Sequence, residues 1–503
     1  MKKGFWGFTA LGFMLTALLL AAVPAWAQSV DDKIKALEQE LGQLKSQQME
    51  LKKESTAAAA ALPSFSYRPG NGLNIEAADK SWGIRFSMET HLRMMFESGQ
   101  DQVGRTNGEI MLRRWRPFFY YCIDNCLYEI ETAIDMDGFG TGNAKNNTGT
   151  EVGPIMQRGV VHFHLENLNP FLPTVDIGGD ISTALSLSRQ GSGAVGSQLE
   201  YDLLTRNFGI NTGRAGWGIV MNWDDRSLSG IGIPGRIGRY QFGMATIGEG
   251  DDNLSSFTDR KDFNTYISVF PFSQLKNKWL QGFMFEFGAW FCNVDQRATA
   301  SNGCSRMQVQ DHGDAARQTL FSTGNNSIGE GLYTMFVPGI TWEVGPYRLR
   351  AMGAFAQAED GNFSPTTTPP GGAVALRGKK RAHNFLIGHD LYLWSPKGFL
   401  TGSANTPGSI LVGTHFERND LSCATPRCGP INSGQFHRGT YLVREWDLWY
   451  FIAPRMSIGG GIWWYDASNL TTAVQKNLGV NKNGRSGGGG NWTDGNINYR
   501  YQF

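Results

Sequence analysis

The stretch from Trp82 to Asp137 limits the possible folds more than any other part of the chain. Its first segment, WGIRFSMETHLRMMF, alternates with a period of two. Trp82, Ile84, Phe86, Met88, Leu92, Met94 and Phe96 fall on one face, interrupted only by Thr90. Arg85, Ser87, Glu89, His91 and Arg93 fall on the other. Successive side chains of a strand point to opposite sides of its sheet, so this segment makes one apolar and one charged face. At about fifteen residues it far exceeds the usual five or six of a soluble strand. A strand crossing a bilayer at a tilt and projecting beyond it has this length, with lipid on one side and water on the other. An exposed strand of a soluble sandwich would alternate in the same way, so the rest of the chain must decide.

Composition favours the membrane. Glycine is abundant (64 residues), as is phenylalanine (31), with 15 each of tryptophan and tyrosine. Past residue 30 there is no run of the roughly twenty apolar residues that a transmembrane helix needs. Glycine-rich connections between aromatic, alternating segments are instead the composition of a membrane β-barrel. The net charge of +1 supplies no bulk field that would draw nucleic acid.

The N-terminus carries an export signal. Lys2 and Lys3 precede an apolar run from Leu11 to Val23, and Ala25-Trp26-Ala27 offers small residues where a signal peptidase reads them. Residues 1–27 are therefore expected to be a signal peptide, cut after Ala27, with no cysteine at the cut to carry a lipid. Export suits the six cysteines, which fall as Cys122 and Cys126, Cys292 and Cys304, and Cys423 and Cys428. Close pairs in an oxidising compartment predict three loop-stapling disulfides. A structural metal would need sets of four ligands drawn together, so neither metal nor cofactor is expected.

Residues 28–54 read as a helix, with Ile34, Leu37, Leu41, Leu44 and Leu51 at heptad a and d positions and polar Gln48 at an a position. This predicts a periplasmic coiled coil roughly 35–40 Å long. So narrow an apolar seam is not buried by one helix, which implies oligomerisation; the alternative is a helix lying on the barrel's own periplasmic surface. Residues 55–81, with the alanine-rich stretch 57–61 and Pro63, read as linker and lead-in.

From Trp82 to Phe503 about sixteen alternating segments are separated by alternately short and long connections, the pattern of an all-β, antiparallel transmembrane barrel. Short turns fall at 123–125, 345–346 and 453–455, and long polar loops at 293–330 and 467–492. In the last segment, NINYRYQF, Ile497, Tyr499, Tyr501 and Phe503 share one face, and Asn498, Arg500 and Gln502 the other. An alternating strand ending on Phe503 resembles the signal read by the outer-membrane barrel-assembly machinery. That machinery and outer-membrane lipid are therefore expected partners.

Few motifs point to chemistry. GSGAVG at 191–196 matches the dinucleotide fingerprint in letters, but that fingerprint works only between a buried strand and a helix. Here it falls in an expected external loop, as does the glycine run 487–490. His162 and His164 share a strand face with Arg158 and Glu166, which suits a hydrated lumen wall better than an incomplete zinc site. There is no G-x-S-x-G element, and no enzymatic activity is expected. The second strand is more informative. Arg114 and Arg116 share a face with Phe118 and Tyr120. Facing Arg to lipid at mid-membrane would cost about 2–4 kcal/mol, so these two are expected to point inward. Glu129, Glu131 and Asp135 on the third strand face the same way. Pro117 interrupts a strand that has no free edge, so a bulge is expected there.

The run LNIEAADKSWGIRFSMETHLRMMF, then MLRRWRPFFYY and LYEIETAIDMD, resembles the opening of the phosphate-selective porin family, porins O and P. LNPFLPTVDIGG is similar to the strand after that family's Asn-Pro turn, RNFGI to a later Arg-x-x-Gly segment, and the terminal YQF to its end. The resemblance implies an outer-membrane diffusion porin of sixteen strands, a homotrimer narrowed by a folded-in third loop, placed within 180–212. Its N-terminal coiled coil resembles the periplasmic stalk of other trimeric porins. The pore-lining residues expected are Arg85, Glu89, Arg93, Arg114, Arg116, Glu129, Glu131 and Asp135. Family phosphate selectivity depends on lysines at the constriction, and 180–212 holds Arg189 and Arg206 but no lysine. Mixed charge across neighbouring strands leaves a transverse field suited to small polar solutes as well as anions. The competing expectation is a structural barrel that acts as a sleeve or anchor for a partner protein.

Overall fold

A computed structural model describes residues 39–50, 62–68, 72–100, 106–136, 155–169, 171–179, 218–223, 238–245, 262–294, 308–310, 319–322, 331–359, 379–395, 406–423, 439–453, 455–470, 475 and 488–502. The chain divides into two units, Met1–Pro63 and Ser64–Phe503. In the first, residues 39–50 form helix α1, with Leu41 and Leu44 exposed on its surface. The signal peptide and the remaining apolar seam positions Ile34, Leu37 and Leu51 lie outside the described residues.

The second unit is built almost wholly of strands. Two short ones come first, β1 (Ser64–Arg68) and β2 (Gly72–Glu76). Then follow β3 (Trp82–Gln100), β4 (Thr106–Ile123), β5 (Tyr128–Asp135), β6 (Ile155–His164), β7 (Thr174–Gly179) and β8 (Gly218–Trp223). The middle of the chain supplies β9 (Gly238–Ala245), β10 (Asp262–Val269), β11 (Phe283–Val294), β12 (Gln308–Gln310), β13 (Thr319–Ser322) and β14 (Gly331–Val344). The last are β15 (Tyr347–Glu359), β16 (Lys379–Trp394), β17 (Ile410–Cys423), β18 (Gly439–Ala453), β19 (Met456–Leu470) and β20 (Gly488–Gln502). Among the described residues of this unit a short α-helix, α2 (Lys278–Gln281), is capped by Asn277, whose side chain accepts from the Trp279 N–H at 3.0 Å.

Pairing is antiparallel throughout. Each strand from β3 to β11 pairs with the next, β11 pairs with β14, and the sequence continues to β20. β20 then returns to β3, from Asp494↔Glu97 to Gln502↔Glu89. The ring is closed by this last pairing and contains sixteen strands, β3 to β11 and β14 to β20. Closure removes the free edges that would otherwise recruit other chains.

The connections sort by end. At one end lie 124–127, 165–173, 270–282, 345–346 and 454–455, together with 224–237 and 395–409, which are longer than the pattern of tight turns suggests. The first of these turns holds Asp124, Asn125 and Cys126 in the left-handed region, and a disulfide joins Cys122 to Cys126 across it. At the other end lie longer connections such as 180–217 and 295–330.

Three features differ from the sequence expectation. Residues within the linker and lead-in form the β1–β2 hairpin, which pairs on β3 through Leu73↔Phe86 to Glu76↔Gly83, just beyond the last β20 pairing. The β12–β13 hairpin arises within one of the long connections. The bulge expected at Pro117 falls elsewhere. Pro117 keeps regular register with Met88, and the shift on β4 comes between Arg114 and Leu112. Beside Pro117 the regular β4–β5 pairing ends at Phe118↔Ala133, resuming as the Met136 N–H donating to the Trp115 carbonyl at 2.9 Å, and the nearby shift at Ala133/Ile134 leaves its extra residue on β6, at position 157. The missing N–H is thus absorbed towards β5.

The two faces of the wall are chemically distinct. On β18, Trp446, Leu448, Tyr450 and Ile452 are exposed outward, while Glu445, Asp447, Trp449 and Phe451 are buried inward. Near the short-turn end an outward aromatic cluster gathers Trp279, Phe283, Trp342 and Tyr347, with ring centroids 5.3–6.1 Å apart. Tyr and Trp collect where an apolar layer meets water, so this cluster has the character of an interfacial girdle. Among the described residues, no helix is long and apolar enough to cross a membrane.

Candidate pore lining

The alternation of β3 places Arg85, Ser87, Glu89, His91 and Arg93 on the inner face. β4 brings Arg116, Phe118 and Tyr120 beside them, and β5 adds Glu129 and Glu131. The Arg85 guanidinium lies 3.7 Å above the Tyr120 ring and 3.8 Å from Glu129. Glu89 stands directly opposite Arg116 in the β3–β4 ladder. Opposite charges facing each other across adjacent strands stabilise the sheet and fix the direction of the local field. Arg114 pairs through its backbone with His91, and Asp135 with Ile155; their side chains lie outside the described residues.

Arg93 is in a different environment. It is buried at the seam where the last strand meets the first, with Nε donating to Asn498 Oδ1 at 2.8 Å and its guanidinium 5.6 Å from the Trp463 ring. His91 Nε2 lies 2.8 Å from the same Asn498 oxygen. This clasp ties β3 to β20, so Arg93 belongs to the seam more than to a free wall.

Two further clusters form on the inner face; the sequence placed His162 and Glu131 on that face but did not bring either cluster together. In the first, His162 lies 3.1 Å from Glu131 and 2.7 Å from Asp176, and Asn222 donates to Asp176 at 2.7 Å. Four neighbouring strands, β5 to β8, each contribute one of these groups. In the second, Asp390 on β16 accepts from Arg348 Nε at 2.7 Å and lies 3.8 Å from Arg350 and 3.6 Å from His415. His415 in turn lies 3.7 Å from Asp447. Alternating pairs such as Arg348/Arg350 and Glu445/Asp447 are visible in the sequence as inward charges. Their meeting depends on register across four strands, which alternation does not supply.

Two inward glycines make room for this second wall. An added Cβ at Gly388 would stand 3.1 Å from His415 Nδ1, and one at Gly459 would stand 2.5 Å from the Trp449 indole. Both large side chains therefore lie flat against the neighbouring strand instead of projecting across the lumen. Arg500, from β20, stacks 3.9 Å over Trp449 and holds it there.

Exposure differs around the ring. The Arg85 and Glu129 side chains are 38% and 23% exposed, whereas Asp390 and Asp447 are 2% and 0% exposed. The Arg85–Glu129 pair is open to water, whereas the Asp390 and Asp447 carboxylates are shut away from it; on the first wall Glu131 is itself buried against His162. Cys122 and Cys126 form the turn staple described above, while Cys304 and Cys428, and the side chains of Cys292 and Cys423, lie outside the described residues. So do the expected third loop at 180–212 and Phe503.

No protein-family model matches the chain, and a comparison with curated proteins finds no match. Solved structures do match in shape. The outer membrane channel DcaP of Acinetobacter baumannii aligns with a TM-score of 0.50 and 8% identity, over 84% of this chain and 98% of that one. OmpT of Vibrio cholerae aligns at 0.47 and 7%, over 84% and 98%. OmpF of Salmonella typhi aligns at 0.44 and 10%, over 88% and 100%. The DcaP likeness concerns the fold: this chain has the architecture of an outer-membrane β-barrel.

Proposed function

We propose that the protein is an outer-membrane porin through which small hydrophilic solutes and ions diffuse passively. One observation carries the reading: a closed sixteen-strand ring with an apolar, aromatic-girdled outside and a charged inside. Arg85, Glu89, Arg116 and Glu129 line the water-reached wall, with Glu131 buried behind it against His162 and Arg114 and Asp135 joining through their strand positions. Their mixed signs set a field across the pore, which orients dipolar solutes and lets anions pass beside the arginines. A modest anion or phosphate preference follows from the arginines, limited by the acids beside them. The short-turn end faces the periplasm, and residues 28–54 extend there as a coiled coil joining three copies.

Planar-bilayer recording on the purified, full-length mature protein tests this reading. Discrete conductance steps and a reversal potential of a few millivolts in a salt gradient are expected. A barrel serving as a sleeve or anchor would insert without conducting.

A further inference from the structure

The outward positions of a membrane strand meet lipid, so a charge placed there needs a headgroup or a partner side chain. On β3, β8, β10, β11, β14, β15 and β20 the described outward positions carry no charge. The strands β16 to β18 differ towards their long-connection ends, where Arg381, Arg418 and Arg444 all point outward and are exposed. Their ladders bring them together. Arg418 stands opposite Phe385 on one side and Leu442 on the other, and Arg444 opposite Phe416 and Trp464. Arg418 and Arg444 are thus diagonal neighbours on one face, with backbones about 7–8 Å apart. Arg381 stands opposite Ser422, about 13 Å further along the ladder from Arg418.

The acids nearby do not satisfy all three. Asp420 accepts from Arg418 Nε at 2.7 Å and from the Thr440 hydroxyl at 2.6 Å. Asp466 stands opposite Leu442, diagonal to Arg444, and forms no ion pair with it. Among the described residues neither Arg444 nor Arg381 has an acid partner, and Arg418 turns only one edge of its guanidinium to Asp420. From Ile452 to Arg444 the strand climbs about 20 Å, at roughly 3.3 Å per residue and a tilt of about 40°. That height is still within an apolar band about 25 Å tall. Outward Trp446 and Trp464 flank Arg444, as indoles do where the apolar layer ends.

We infer that this patch binds phosphate-bearing lipid headgroups in the leaflet at the long-connection end, with Arg418 and Arg444 sharing one phosphate and Arg381 reaching a second anionic group. A guanidinium keeps its charge and presents parallel N–H donors that match phosphate oxygens. Below the arginines, outward Trp446, Leu448 and Tyr450 give the acyl chains an apolar track. A second copy of the chain fits less well. Its acids would have to come from another outer face, and the described outward positions of the uncharged strands named above offer none. The inference rests on the lipid-facing surface and not on what the barrel conducts.

The test uses the full-length protein, purified in nonionic detergent and stripped of lipid. It is incubated with lipid A carrying its phosphates, or with the same lipid after both phosphates are removed enzymatically. Native mass spectrometry reads bound lipid and subunit number together. The phosphorylated lipid is expected to bind about tenfold more tightly, and Arg418→Ala combined with Arg444→Ala should remove most of that difference. Both side chains are exposed, so the double variant should keep the heat-modifiable band of the folded barrel. Arg444→Gln alone should weaken binding about fivefold, which keeps the comparison open if the double variant does not fold. Equal retention of the two lipids, or wild-type retention by these variants, overturns the inference. Release of the lipid by millimolar inorganic phosphate would assign the arginines to the free anion instead and overturn the lipid assignment. A double variant that loses subunits while holding lipid A as the wild type does would give this face to a second copy, and overturns it equally.

Discussion

Arg85 is held from two sides, by the Tyr120 ring at 3.7 Å and by the Glu129 carboxylate at 3.8 Å, and it is still more than a third exposed. An inward arginine in that setting keeps its charge and offers its outer edge to passing anions. Arg116 faces Glu89 one step along the wall, so the wall is a patchwork and not a uniformly basic surface. At roughly 7 Å in water a unit charge contributes about 0.6 kcal/mol, or about a threefold change in local ion concentration. Arg114→Ala combined with Arg116→Ala is therefore expected to shift the reversal potential towards cations, and Glu129→Gln to shift it towards anions. Both shifts should shrink in high salt. An unchanged ion preference in the double variant would mean that these arginines do not border the path. Gly459 makes a different kind of prediction. A methyl there would meet both the Trp449 indole and the Leu448 carbonyl at 2.5 Å, and the carbonyl belongs to a paired strand that has little room to move. Gly459→Ala is expected to cost about 1–3 kcal/mol through overpacking, seen as a lower temperature for conversion of the folded to the unfolded gel band. No change in that temperature would show that the indole swings away freely.

At the level of elements, the closing seam is the part most exposed to loss, because β20 and β3 are far apart in sequence and must meet last. Asn498 serves both His91 and Arg93 with one carbonyl oxygen, at 2.8 Å each, and all three side chains are buried. Asn498→Ala leaves those donors facing a methyl group. A cost of about 1–3 kcal/mol is expected for a buried group deprived of its partner. It should appear as slower acquisition of the heat-modifiable band during refolding, and a wild-type rate would remove the seam from the folding argument. The strands of the ring were legible in the sequence because lipid on one side and water on the other enforce a strict period of two. Where that constraint lapses, legibility lapses with it. The end of β19 runs on past the apolar band into the stretch 467–492 read as a loop, and the start of β20 in that same stretch is glycine-rich, so neither limit shows in the alternation. The five-residue strands β1 and β2 and the shorter β12 and β13 offer too few alternations to be read at all. Inward faces were legible for the same reason as the strands. Partnerships such as Glu131–His162–Asp176 were not, since they require the register of two ladders at once.

For the whole molecule, the open question is what the N-terminal segment contributes to a barrel that is already closed. The ring needs no further strand, and α1 carries Leu41 and Leu44 exposed on its surface. Exposed leucines at heptad spacing are stabilised when copies of the same helix pack seam to seam, and a polar Gln48 in that seam fixes register at some cost in stability. With only about three heptads, the helices alone would associate weakly. Tethering to barrels that share one membrane raises their effective concentration and makes the association worthwhile. A parallel arrangement brings the same seam position of each copy together. Gln48→Cys is therefore expected to form interchain disulfides in mild oxidant when the full-length protein is assembled, giving covalent dimers on non-reducing gels. Adding Leu41→Asp and Leu44→Asp should abolish the crosslink by placing like charges in the seam, while single-channel conductance stays at its original value. If Gln48→Cys never crosslinks in membranes where the barrels are otherwise shown to be trimeric, the helix lies against its own barrel instead. In that case subunit contact is made by the barrel walls alone.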